Sequence, residues 1–128
     1  MLLALALWFA YRSQHGAIPN ETAILDLRGY SVERGQEAQS HEPPLDIHRR
    51  TRYLVLYLPI GSEEGSYEVG VLNASGQELM HKRGTAKLEN HIVVLRADID
   101  IADVPSGSYF LGVRKQGFEW TRFPVRIF

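Results

Sequence analysis

The stretch Tyr67–Arg83, YEVGVLNASGQELMHKR, decides the fold class. Tyr67, Val69 and Val71 alternate with Glu68 and Gly70, the period of a strand with one face turned inward. Asn73-Ala74-Ser75-Gly76 then supplies turn chemistry and Glu78 to Arg83 returns, so the segment reads as a β-hairpin. The same period spreads outward in both directions. On the C-terminal side, His91 to Ile99 places Val93, Leu95, Ala97 and Ile99 on one face. Tyr109, Leu111 and Val113 line the next strand, and after the Gln116-Gly117 turn Phe118 to Phe128 alternates Phe123, Val125 and Ile127 against Pro124 and Arg126. Pro124 has no N–H for a ladder, which places its strand at an edge or at a bulge. On the N-terminal side, Tyr53 to Leu58 is apolar on both faces and reads as central, Leu45 and Ile47 begin a short strand, and Thr22 to Arg28 alternates weakly through Ala23, Leu25 and Leu27. Gly29 to Pro44 is polar and reads as a long loop or a poorly paired edge.

No segment has a helical period. Seven or eight short strands within residues 22–128 predict an all-β domain, an antiparallel two-sheet sandwich. Burying about 20 inward side chains at roughly 1.5–3 kcal/mol each offsets the chain entropy of such a domain, so the fold requires neither metal nor disulfide.

Composition narrows the function classes. The chain has 128 residues, a formal net charge of -1 and no cysteine. That length holds one domain, the charge provides no field to gather nucleic acid, and the lack of thiols removes disulfides, cysteine nucleophiles and thiolate zinc sites.

Residues 1–12 differ from the rest. MLLALALWFAYR is apolar without a polar face, too short to cross a bilayer by itself and without the basic start of a secretory signal. One reading makes it the end of a transmembrane helix, with Leu2, Leu3, Leu5 and Leu7 in the hydrocarbon, Trp8, Phe9 and Tyr11 in the interfacial belt and Arg12 at the headgroups. The other makes it a buried strand or short helix of the fold. The first is favoured because a polar linker, residues 13–21, follows. The lipid bilayer is then a partner, and the domain is extracytoplasmic on a single-pass protein.

The stretch Ile99–Tyr109, IDIADVPSGSY, resembles a tyrosine corner, in which a Tyr hydroxyl at the start of a strand returns to the backbone a few residues upstream. With the Tyr67 hairpin, the Asn73–Gly76 turn and the final FPVRI strand, the order of elements resembles the extracytoplasmic immunoglobulin-like domain of bacterial single-span membrane proteins, some of them zinc-finger anti-sigma factors. The resemblance spans Thr22 to Phe128 and implies an immunoglobulin/fibronectin-like sandwich. The cytoplasmic Cys/His zinc motif of such factors has no counterpart in this chain, so sigma binding is not carried over to any residue present.

The search for chemistry yields no cofactor and no catalytic set. His15, His41, His48, His81 and His91 lack ligand spacing, and His41-Glu42 is followed by prolines rather than by a helix and a second His. Asp98, Asp100 and Asp103 approach a calcium-loop spacing without its Gly and terminal Glu, and read as a solvated strand face. A hydrolase would need a cleft with His48 or His91 beside an aspartate. A carbohydrate-adhesive sandwich would need Tyr30, Tyr53 and Trp120 on one flat platform. Two features suit an unknown protein partner. One is the basic cluster Arg49, Arg50 and Arg52, whose plainer reading is a solvated face or an edge guard. The other is the pair Phe118 and Trp120, which point away from the core unless a bulge near Arg122 resets the register.

Overall fold

The computed structural model describes residues 21–30 and 44–128. It is all-β among these residues, with strands β1 (Glu21–Asp26), β2 (Leu45–Ile47), β3 (Thr51–Tyr57), β4 (Gly65–Leu72), β5 (Glu78–Glu89), β6 (Ile92–Asp98), β7 (Gly107–Lys115) and β8 (Thr121–Ile127). All eight belong to one sheet in the order β1-β3-β6-β5-β4-β7-β8-β2, which coils into a nearly closed, barrel-like form. The expected separation into two antiparallel hydrogen-bonded sheets is therefore not what the ladders show, and the pairs β1–β3 and β2–β8 at the two edges are parallel.

The reason lies in β5. Sequence reading ends this strand at Arg83, but it runs for 12 residues. Its first half pairs with β4 up to Gly65↔Ala86, while Thr85 to Glu89 pair with β6, so one strand carries the ladder around the turn of the sheet. A second correction falls beside it. Asn90 and His91 have φ of 50° and 68°, and Glu89 pairs with Ile92. They form a two-residue turn of the kind hairpins favour, and His91 belongs to that turn rather than to β6.

Most inward positions follow the predicted period. Val69, Val71, Leu95, Ala97, Leu111, Val113, Phe123, Val125 and Ile127 are all buried, joined by Leu54 and Leu56 of β3 and by Leu25 and Leu27 at β1. Pro124 departs from expectation in part, because β8 is flanked by β7 and by β2. Phe128 N–H donates to Ile47 O, and backbone alternation turns the Pro124 nitrogen to that same β2 side. The β2 ladder starts at Leu45↔Val125, so the missing N–H falls where β8 has no ladder partner among the described residues.

Both ends of the β6–β7 crossover are tied by hydrogen bonds. Tyr109 Oη donates to Pro105 O at 2.7 Å, the contact expected of the corner, and Val104 N–H donates to Ile101 O at 3.1 Å. Tyr67, at the start of the hairpin, does the same unprompted by any motif, donating to Glu63 O at 2.6 Å. Each phenol fixes a loop four residues upstream while its ring packs on the core. Tyr109→Phe keeps the ring and removes one hydrogen bond, and is expected to lower the unfolding free energy by about 1 kcal/mol in urea titration. Tyr67→Phe should cost more, because Tyr67 is the more deeply buried phenol.

Candidate functional site

The residues expected to anchor the chain in a membrane, Leu2, Leu3, Leu5, Leu7, Trp8, Phe9 and Tyr11, lie outside the described residues. Among the described residues no helix is long and apolar enough to cross a membrane.

The two candidate partner features sit at opposite ends of β8. Trp120 precedes its first residue, whereas Arg49 N–H donates to Phe128 O just after its last, so about 20 Å of strand separates them. They do not form one surface. Arg49 and Arg50 project from the β2–β3 turn, exposed and without a carboxylate partner among the described residues. Arg52 is used locally, since its guanidinium donates to Arg49 O at 3.0 Å and Thr51 O at 3.2 Å. His48 Nδ1 accepts the Arg50 N–H at 3.0 Å, and its ring meets Phe128 edge-on.

No bulge resets β8 between Thr121 and Ile127, so Phe118 and Trp120 do fall off the core side. Their fates then diverge. Phe118 stays 43% exposed in the turn after β7. Trp120 lies against the outer surface of β4 and β7, over Gly70 and Gly112, which are direct partners in the ladder. A Cβ at Gly112 would come within 2.8 Å of Trp120 Cε3, and one at Gly70 within 3.2 Å of its ring. Arg114 stacks on the indole at 4.0 Å and donates through Nε and a terminal nitrogen to Glu68 Oε2, at 3.2 and 2.7 Å. Nearby, Arg122 stands 5.4 Å over the Phe110 ring, and Leu72 is buried on this outer side. The result is a second, smaller packed layer outside the barrel. Sequence reading left it unseen, although a Gly in the middle of each of two strand patterns, EVGVL and FLGVR, signals close approach by another group.

The Glu68–Arg114 pair is the least exposed ion pair among the described residues. Hydrogen bonding from Arg114 holds the Glu68 carboxyl below its ordinary value of 4.5. Such a group adds stability that is present above 4.5 and is lost as pH falls through its lower folded value. Asp26 and Glu89 are depressed in the same way by Arg28 and Arg96. Glu68→Gln is therefore expected to flatten, without abolishing, the fall in stability below pH 4.5, read from urea midpoints at stepped pH.

Open cavities lie at several places on the domain, one of them lined by Glu63, Arg114, Lys115 and Glu119. A second, of about 440 Å³, opens at the end of the barrel, where Tyr30 and Phe123 meet edge to face at 5.3 Å, and Leu58, Tyr67, Thr121 and Arg28 also line it. Among the described residues that line it there is no His, Asp or Glu. Another, beside the first half of β5, brings His81 near Asp100 and Asp103, but the contact His81 makes is with Glu78. His48 faces Glu21 at 3.9 Å on the surface, and His91 sits in its exposed turn, so neither stands in a cleft beside an aspartate. Among the described residues no group of three or more His, Asp or Glu could hold a metal ion. The aromatic platform is not assembled either: Tyr30 is in the core, Tyr53 is half-buried on β3, and Trp120 is packed over β4 and β7.

Comparison with protein-family models, with curated proteins and with solved structures finds no match to the chain.

Proposed function

We propose that the chain is a non-catalytic, membrane-tethered extracytoplasmic interaction or sensing module. In this reading residues 1–12 hold it to the bilayer, residues 13–21 space it, and residues 22–128 form an immunoglobulin/fibronectin-like sandwich in a bacterial periplasm, as the outer part of an anti-sigma-factor-like regulator. One layer comprises β1, β3, β6 and the Thr85–Glu89 half of β5. The other comprises β4, β7, β8, β2 and the Glu78–Gly84 half, and the Tyr109 corner stands at the crossover between them. The observation that carries the functional part is where the polar and aromatic side chains go. Glu68, Arg114 and Trp120 engage one another on an outer face, with Arg122 over Phe110 beside them, an arrangement suited to presenting a fixed surface and unsuited to moving protons. A signal could pass inward only if a partner bound two states of the protein with different affinity.

Carbonate extraction and protease protection of the tagged product in its own cells test the reading. Retention in the membrane with a C-terminal domain cleaved only from outside supports it. A product released in soluble form at 14.5 kDa overturns the tether and, with it, the regulator.

A further inference from the structure

The two edges of the sheet are unequal. β2 is three residues long, follows Pro44, and carries the Asp46–Arg126 ion pair at 2.9 Å, all features that blunt an edge. β1 is six residues long and has no such guard between Thr22 and Leu25. Its ladder direction follows from one bond: Leu27 N–H donates to Tyr57 O at 2.9 Å, so Ala23, Leu25 and Leu27 face β3. By alternation, the N–H and C=O groups of Thr22, Ile24 and Asp26 point away from the sheet, where no strand among the described residues meets them. Ile24, in the middle of this edge, is 62% exposed, and its ladder partner Val55 continues the apolar surface onto β3. Arg28 N–H donates to Asp26 Oδ1 at 3.0 Å, which closes the edge at its far end.

We propose that β1 pairs edge to edge with β1 of a second copy of this chain, antiparallel about a two-fold axis at Ile24. Outward main-chain groups demand an extended backbone as their partner. The edge is complementary to itself: Ile24 faces its own counterpart, Thr22 faces the counterpart of Asp26, and no like charges are opposed. A net charge of -1 adds little repulsion between copies. The contact is small, so the dimer is weak and depends on concentration. It does not depend on the tethered-module reading.

The test uses the full chain in nonionic detergent. Wild-type protein should shift from monomer to dimer in sedimentation velocity as concentration rises. Ile24→Pro, which removes one outward N–H and no ladder bond, should stay monomeric with an unchanged circular dichroism spectrum. Ile24→Lys, a charge at the same place with no backbone change, should do the same if the proline variant does not fold. Because the chain has no cysteine, Ile24→Cys should form a disulfide-linked dimer under mild oxidation while Ile60→Cys, 92% exposed elsewhere, does not. A wild type that stays monomeric, variants that dimerise like wild type through another part of the chain, or equal cross-linking at both cysteines would each overturn the proposal. Membrane release in cells leaves these readouts untouched.

Discussion

Gly84→Ala is expected to destabilise the domain by about 2–3 kcal/mol, lowering the thermal midpoint by roughly 10–20 °C. A Cβ at this position would lie 2.6 Å from Arg96 O, 2.9 Å from Leu95 Cδ1 and 3.0 Å from Ala97 Cβ. The first contact is with backbone, which a rotamer change cannot relieve, so β5 and β6 must part or the methyl must displace the ladder. Gly84 is the last residue of β5 before β6 begins to pair with it, and Tyr67 is its partner on β4. A disturbance there reaches both neighbours. The backbone angle is not the cause, since Gly84 is absent from the positive-φ residues, whereas Gly61 has φ of 93° and open space around it. Gly61→Ala thus serves as the control: its cost is conformational alone, about 1–2 kcal/mol. Trimming Leu95 in the Gly84→Ala background should not restore stability, because the Arg96 carbonyl stays in place. Differential scanning calorimetry of the two single variants and the double variant checks all three statements.

What could be read from the chain and what could not divide along the same physical line. Strand period depends on residues two apart, so the burial of Val69 and Val71, or of Phe123, Val125 and Ile127, was legible without knowing any partner strand. The Asn73–Gly76 turn was legible for the same local reason, as Asn73 Oδ1 accepts the Ser75 and Gln77 N–H groups and Gly76 takes φ of 82°. The length of β5 was not. Gly84, Thr85 and Lys87 look like the end of a hairpin, and only the later approach of β6 gives their backbone groups partners. The turn before β6 was not legible either, since neither Asn90 nor His91 is a glycine, yet both sit at positive φ under the demand of a two-residue turn. At the candidate surface, the outward direction of Trp120 followed from register. Its destination did not, because the trough that holds it is formed by Gly70 and Gly112, 42 positions apart and adjacent only in the ladder.

The other large effect is expected at Phe123. It ranks among the largest fully buried side chains, it pairs across β7 with Leu111, and its ring meets Tyr30 at 86°. That contact ties the residues just after β1 to β8, two strands at or next to the opposite edges of the sheet, with no ladder between them. Truncation removes the burial of an aromatic ring and leaves a void, for which about 3–5 kcal/mol is typical. The lower end of that range applies here. Phe123 lines the cavity that opens at the end of the barrel, so water can enter the enlarged space and Tyr30 can settle toward it. Phe123→Ala should accordingly lower the urea midpoint by the equivalent of about 3 kcal/mol, with the slope of the transition unchanged if the native state stays compact. Phe123→Leu, which keeps most of the volume and loses the edge-to-face contact, should cost about 1–1.5 kcal/mol and folds even where the alanine variant does not. An alanine variant as stable as wild type would mean that the Tyr30–Phe123 contact does not join the two ends of the sheet, and that the barrel stays nearly closed by its ladders alone.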